Sequence, residues 1–295
     1  MVKIRKIQTV SPGIFRIQIP MFPVYLLRFE RSVMIDSGIT TGVPAMRAAI
    51  RELLPSKGPD ELLLTHSHWD HAGGAFEMQP EMGFSVLASR RTVELLQKPR
   101  VREFIHHLNR EHARQHHADP PPPYAPLERM QALEEGDRVE LGAGHWLEVF
   151  ATPGHTRCSL AFLLGPEGIL FPGDAVGVTE RDGSIKPLFL SDYDEYERSL
   201  EKLQGLEAEA LCFSHNQVLA GKQRVRDFLA ASLERTRNVR EKIRRRLDAG
   251  LERDQIAKEL YAEEFPLPTV MGPMEALIIN LRAMILAVEK QTAAS

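Results

Sequence analysis

The sequence gathers potential metal ligands into one short stretch, Thr65-His66-Ser67-His68-Trp69-Asp70-His71. In an extended segment, residues two apart project to the same side, so His66 and His68 can share one metal. Asp70 and His71 fall at the turn into a following helix and point elsewhere, toward a second metal. Ala72-Gly73-Gly74 come next, small enough for that helix to pack closely. With 11 histidines in 295 residues, three within six positions is not a chance cluster.

Three more positions extend the set. His155 sits in Thr152-Pro153-Gly154-His155-Thr156, Asp174 in Phe171-Pro172-Gly173-Asp174, and His215 in Phe213-Ser214-His215-Asn216. Any one of them alone reads as a turn or cap residue. Together they gain force, because each borders a short apolar strand, and ligands on loops held by a rigid sheet are a common way to build a metal site. Neutral imidazoles suit zinc and iron, and the carboxylates partly neutralise two divalent cations held close together.

The elements that must position these residues are short strands and helices in mixed order. Val2–Thr9 and Gly13–Ile19 flank a Ser-Pro-Gly turn, and Val24–Phe29 and Val33–Asp36 flank Glu30-Arg31-Ser32 as a hairpin. Thr41–Leu54 has helical spacing. Glu61–Thr65 and Phe84–Ala88 read as strands buried on both faces. Arg90–His117 reads as one long charged helix, ended by Asp119 and the stiff run Pro120–Pro123. Arg138–Leu141, Trp146–Phe150, Ser159–Leu164, Ile169–Phe171 and Ala208–Phe213 are further strands, and Ser191-Asp192 start a helix over Tyr193–Leu203. Beyond about residue 220 the pattern turns helical: Lys222–Leu247, Leu251–Tyr261, and a stripe of Met274, Leu277, Ile278, Leu281, Met284, Ile285 and Val288. The expected organisation is an α/β core over 1–220, with a lid-like helical insertion at 90–126, and a helical region over 221–295.

Composition sets the bounds. The chain is 43% apolar and 26% charged with net charge −3, which excludes wholesale disorder and a polycation. The two cysteines, Cys158 and Cys212, make no disulfide framework and read as core residues. Together with a first segment lacking a signal-peptide apolar stretch and no run of 18 apolar residues, they point to a cytoplasmic protein with no membrane span.

The combined pattern resembles the metallo-β-lactamase superfamily, its glyoxalase II-like branch included: His-x-His-x-Asp-His, then Gly-His-Thr, then Gly-Asp, then a late His, in order over residues 1–220. The resemblance implies a four-layer αββα sandwich with a C-terminal helical appendix and metals at one edge of two sheets. It implies that His66, His68 and His155 bind one metal, that Asp70, His71 and His215 bind another, and that Asp174 bridges them. The metals would be two divalent ions, zinc foremost, iron or manganese next. Asp36, in Met34-Ile35-Asp36-Ser37-Gly38, matches a residue that supports ligands without binding metal. An aspartate at the bridging position departs from β-lactamases with a cysteine at one metal, so an antibiotic-cleaving role is not expected. The implied chemistry is a dinuclear hydrolase in which a metal-bridging hydroxide attacks a small ester, thioester or lactone, with Asp70 orienting the nucleophile or shuttling its proton. Two alternatives stay open: a phosphodiesterase or endoribonuclease, suggested by the arginine-rich Lys222–Tyr261 stretch, and a mononuclear iron enzyme of the persulfide-dioxygenase type.

Several residues are candidates for contact with a small-molecule substrate: Trp69, Tyr124, Tyr193 and Asn216. Leu96, Val101, Phe104, Ile105 and Leu108 would line the insertion. His106, His107, His112, His116 and His117 read as a solvated face among arginines. The basic stretch reads better as an amphipathic helix with solvated arginines than as a nucleic-acid surface, and the Met274–Val288 stripe either caps the core or forms a homodimer seam.

Overall fold

The structure is a computed structural model that describes residues 7–19, 21–180, 182–215, 217–265 and 274–292. Asn216 and the expected strand's residues 2–6 lie outside the described residues.

One sheet runs in sequence order: β1 (Ile7–Ser11), β2 (Ile14–Ile17), β3 (Val24–Arg28), β4 (Ser32–Ile35), β5 (Glu61–Leu63), β6 (Ser85–Ser89) and β7 (Met130–Leu133). Its first four strands are antiparallel and β4 through β7 are parallel. The crossovers carry α1 (Val43–Leu53), α2 (Trp69–Ala72), α3 (Ala75–Met82), α4 (Arg90–Leu96) and α5 (Pro99–Gln115). The second sheet contains β8 (Arg138–Gly142), β9 (His145–Ala151), β10 (Leu160–Gly165) and β11 (Ile169–Phe171). A two-stranded ribbon, β12 (Val178–Thr179) and β13 (Ile185–Lys186), and α6 (Tyr193–Gln204) precede its last strands, β14 (Ala210–Cys212) and β15 (Val218–Ala220). Its order is β15-β14-β11-β10-β9-β8. Three helices follow, α7 (Lys222–Asp248), α8 (Arg253–Glu264) and α9 (Met274–Thr292).

Period-2 alternation sorts the strand side chains into layers. Tyr25, Leu27, Leu63 and Leu87 point into a core shared with Phe162, Phe171 and Cys212 of the second sheet. Their neighbours Val24, Leu26, Leu62 and Val86 point the other way, onto α1 and α3 through Met46, Ile50 and Phe76. Ala161, Leu170 and Leu211 leave the back of the second sheet and meet α6 to α9 through Tyr196, Leu229, Ile256 and Ile285. Three apolar layers between four layers of elements make the αββα sandwich. The C-terminal helices share one core with α6 and the second sheet; Leu281, Met284, Ile285 and Val288 of the expected stripe are buried in it, while Met274 at its start is exposed.

The expected helix over 90–117 is two helices. Pro99 begins the second, where its missing N–H costs nothing and its ring forbids continuation of the first. Edge strands β7 and β15 escaped the sequence reading. Each is three or four residues long and lies at a sheet margin, where one face is solvated and the apolar run is weak.

Strand direction positions the site. β9, β11 and β14 all run the same way, since β10 is antiparallel to both β9 and β11, and β11 pairs parallel with β14. The loops after their C-terminal ends, carrying His155, Asp174 and His215, therefore emerge at one edge. The loop after β5 meets them there: Leu160 N–H donates to Thr65 O at 2.7 Å, and the Tyr25 hydroxyl donates to Phe213 O at 2.7 Å across the sheets.

Candidate metal centre

At this edge the seven expected ligands converge. The donor atoms of His66, His68 and His155 lie within 4.8 Å of one another, as do those of His66, His71 and Asp174, and those of Asp70, His71 and His215. Asp174 lies between the sets. Its Oδ2 is 3.4 Å from His155 Nε2 and 4.0 Å from His66 Nε2, while its Oδ1 is 3.2 Å from His215 Nε2 and 3.6 Å from His71 Nε2. Asp70 Oδ2 is 3.7 Å from His71 Nε2 and 3.9 Å from His215 Nε2.

The rings are oriented from behind. His155 Nδ1–H donates to Leu188 O at 2.9 Å and His215 Nδ1–H to Met21 O at 3.1 Å. His71 Nδ1–H donates to Asp36 Oδ2 at 2.8 Å. Thr65 Oγ1 spends its proton on Asp36, so toward His66 Nδ1–H, 3.0 Å away, it is the acceptor. Each bond puts the proton on Nδ1 and leaves the Nε2 lone pair facing the centre, the arrangement that orients and tunes metal-binding imidazoles. His68 is the exception, with Nδ1 turned inward, 3.1 Å from His155 Nε2. Asp36 does its work from a left-handed backbone, φ 57°, a conformation aspartate tolerates better than most residues. Behind the ligand turn, Ser37 Oγ donates to His71 O and accepts from Ala75 N–H.

Two glycines are required by contact. A Cβ on Gly74 would lie 2.2 Å from Ser37 O, and one on Gly154, where φ is 124°, would lie 2.2 Å from the Tyr196 nitrogen. These close approaches hold α3 against the β4 loop and the His155 loop against α6.

The donor set fits divalent metal. His66 Nε2, His71 Nε2 and Asp174 Oδ1 are buried with no hydrogen-bond partner. Such groups are costly to bury unless something compensates them. Burial, with His71 and His68 nearby, drives His66 well below the usual imidazole range, and burial beside His155 pushes His68 down to about 3. Burial likewise lowers His155. These three stay neutral, as metal-binding imidazoles must. At His71 burial also opposes charge, but Asp174, Asp36 and Asp70 more than reverse it; at His215 Asp174 does the same. The carboxylates thus demand positive charge on the Asp70, His71 and His215 side. Burial would raise Asp174, yet His215 and His71 hold it well below the usual carboxylate range.

A cavity of about 600 Å³ opens onto the cluster. Trp69 and Phe22 stand on one side, ring centroids 5.9 Å apart. Helix α5 contributes Val101, Phe104, Ile105 and Leu108, while Leu95 replaces the expected Leu96, which is fully buried. Helix α9 supplies Ala276, Ile279, Asn280 and Ala283, a contribution no local pattern indicated. Tyr124 does not line this cavity: it stacks on Phe76 at 4.6 Å and packs in the first-sheet core. Nor does Tyr193, which is buried against Phe189 with the Arg240 guanidinium 5.1 Å from its ring centroid.

Cys158 and Cys212 are buried and free, in keeping with core roles. His107, His116 and His117 are exposed as expected, but His112 is half-buried against Trp69 and Phe22, and burial pushes it down to about 4. Asn109 was missed. It is buried, accepts from Thr40 N–H at 3.0 Å and donates to Trp69 O at 3.3 Å, so it pins α5 to the ligand turn. The spacing Ile105, Asn109, Ala113 puts it on the helix's buried face, a detectable signal.

A family model described as the metallo-beta-lactamase superfamily matches residues 24–215. A hydroxyacylglutathione hydrolase from Xanthomonas axonopodis pv. citri is 29% identical over 198 residues, 64% of this chain and 58% of that protein. An atrochrysone carboxyl ACP thioesterase from Aspergillus fumigatus is 27% identical over 214 residues, 70% of this chain and 54% of that protein. The chain thus spans little more than half the length of these curated relatives. Among solved structures, a beta-lactamase domain protein from Burkholderia ambifaria superposes with a TM-score of 0.70 at 19% identity, covering 97% of this chain and 89% of that one, which speaks to the fold. With the family model running from β3 through the last of the converging histidines, the chain belongs to the metallo-beta-lactamase superfamily.

Proposed function

We propose that this chain is a metal-dependent hydrolase of small thioesters, with oxygen esters and lactones as neighbouring carbonyl substrates. In this reading His66, His68 and His155 hold one divalent metal, Asp70, His71 and His215 hold a second, and Asp174 lies between them. Zinc suits a donor set of five imidazoles and two carboxylates. The observation that carries the reading is the Asp174 carboxylate, whose two oxygens face different sets of imidazole nitrogens beside an apolar cavity. Both relatives described above are hydrolases by name, one of them a thioesterase.

The metals, when bound, would polarise the scissile carbonyl and make water a nucleophile near neutral pH. The chain supplies the rest. Asp70, at the cavity wall with one oxygen toward His71 and His215, orients the attacking water and accepts its proton. Asp36 and the Leu188 and Met21 carbonyls keep the imidazoles in one tautomer. Trp69 and the α5 side chains exclude bulk water from the carbonyl. No serine or cysteine nucleophile enters. The region before residue 220 bears the ligands, and the helical region after it closes the cavity.

The nucleic-acid alternative draws no support from α7. Arg235, Arg237, Lys242, Arg244, Arg245 and Arg246 are each ion-paired with a glutamate. The test is metal content by mass spectrometry on protein purified without chelator, beside acyl-thioester turnover. Two metals per chain with metal-dependent turnover is the expected result. One iron per chain with oxygen consumption, or no turnover of any thioester by metal-replete protein, overturns it.

A further inference from the structure

Two differently built surfaces meet at the metal centre. The cavity between α5 and α9 is lined by apolar side chains beyond the ligands, with Ser67 and Asn280 as its other polar residues, and by no Lys or Arg among the described residues. Phe104 and Ile279 line it yet stay 60% and 62% exposed, unusual for such large apolar side chains in a chain that buries most of them. Helix α9 divides its faces. Leu281, Met284 and Val288 enter the core, while Ala276, Asn280 and Ala283 line the cavity, the two alanines leaving room. A shallower groove of about 340 Å³ shares His68 and His155 with the cavity and is edged by Arg91 and Arg157. Both arginines are exposed, and neither has an ion-pair partner among the described residues, unlike Arg235, Arg237 and Arg246 of α7.

Building on the thioester-hydrolase reading, we infer that the substrate is a two-ended thioester. Its unbranched apolar acyl chain lies between α5 and α9, and its thiol portion carries an anionic group, phosphate or carboxylate, across Arg91 and Arg157. The carbonyl then falls between the two surfaces, at the histidines they share. Water oxygen bonds to the acyl carbon, the C–S bond breaks, and the departing sulfur takes a proton, giving a carboxylic acid and a thiol. The acid's chain is shed into an apolar cavity whose mouth is lined by Phe104 and Ile279.

The experiment uses the metal-replete full chain with linear acyl thioesters of neutral N-acetylcysteamine, acetyl through decanoyl, and octanoyl-phosphopantetheine as the anionic partner. The expected kcat/KM rises about fourfold per methylene over the first several, the value of burying a CH₂. Ala283→Phe, or the milder Ala283→Leu, lowers the octanoyl-to-acetyl ratio about tenfold or more. Replacing Arg91 and Arg157 with alanine lowers the ratio of phosphopantetheine ester to neutral ester about tenfold, and salt does the same in the wild type. A flat chain-length profile alongside acetyl turnover overturns the acyl placement and leaves the hydrolase reading standing. An unmoved charge ratio overturns the thiol placement. If no thioester is hydrolysed, the hydrolase reading falls, and calorimetry with linear carboxylates decides the cavity: affinity rising with chain length supports it, and no rise overturns it.

Discussion

Two clusters of ionisable groups are buried in this molecule, and they are built on opposite rules. At the sheet edge, seven ligand-type side chains crowd together and leave His66 Nε2, His71 Nε2 and Asp174 Oδ1 without partners. Beneath the C-terminal helices, Glu264 is 5% exposed and surrounded by cations. Lys242 reaches its Oε1 at 2.9 Å, Lys186 lies 3.7 Å from Oε2, and Arg235 pairs with the same oxygen. Each is built around a buried carboxylate; they differ in whether its neighbours are satisfied. A buried charge cluster that completes itself ties elements together, here β13, α7 and α8. One that leaves lone pairs aimed at a common point needs something from outside the chain.

Substitutions can break that distinction. The largest effect is expected at Asp174. Asp174→Ala removes the carboxylate facing both ligand sets, and metal content by mass spectrometry falls together with a loss of about a thousandfold in thioester kcat/KM, the several kcal/mol a metal centre supplies. Retention of full metal and turnover would end the bridging assignment. Asp36→Asn comes next. It keeps the shape but weakens the grip on His71 Nδ1, and a chelator titration should show metal affinity down about 10–100-fold.

The self-paired cluster responds through stability instead. Glu264→Gln leaves three cations short of a partner and should cost about 2–3 kcal/mol in urea unfolding at pH 7, without lowering metal stoichiometry. Burial would raise the Glu264 carboxyl, but Lys242 and Arg235 hold it below its ordinary 4.5. A depressed carboxyl contributes stability above its unfolded value and loses it as pH falls through the folded one. The gap between wild type and Glu264→Gln is therefore full at pH 7 and closes below about 4.5. A gap that persists unchanged at low pH would show that the carboxylate's charge is not what holds these helices.

Zinc added to metal-free wild type should raise the unfolding free energy by about 2.7 kcal/mol at 100 times Kd, and leave Asp174→Ala nearly unmoved. The smallest effect belongs to the solvated pairs. Arg245→Ala breaks an ion pair with Glu241 on the exposed face of α7, and its stability should stay within about 0.5 kcal/mol of wild type.

Which features could be read from the residues follows from the range of the forces involved. The candidate ligand positions were legible because each is marked locally, by a short apolar strand on one side and a turn residue on the other. The strand alternation that separates Leu62 from Leu63, or Val24 from Tyr25, is equally local, since pleating alone sends neighbours to opposite faces. The break at Pro99 was written in one residue and passed over among the charges around it.

Other features had no local mark. Tyr124 and Tyr193 are aromatic residues near polar ones, the profile of a substrate contact, and only their packing on Phe76 and Phe189 shows where their rings go. Trp69 has the same profile and does face the cavity. His112 reads as solvated until Phe22, ninety residues earlier, is seen against it. The arginines of α7 suggest an anionic partner until Glu197, Glu259 and Glu264 are found opposite them.

Spacing along a strand or helix is enough to dictate the candidate metal-ligand motif, the layered α/β class and the helical character of the C-terminal region. Long-range packing is what sets α9 at the cavity wall, gives each set of imidazoles one Asp174 oxygen, and leaves one charge cluster closed and the other open. Those properties belong to pairs of residues far apart in the chain, and a side chain's partner is chosen by packing across layers rather than by its neighbours in sequence.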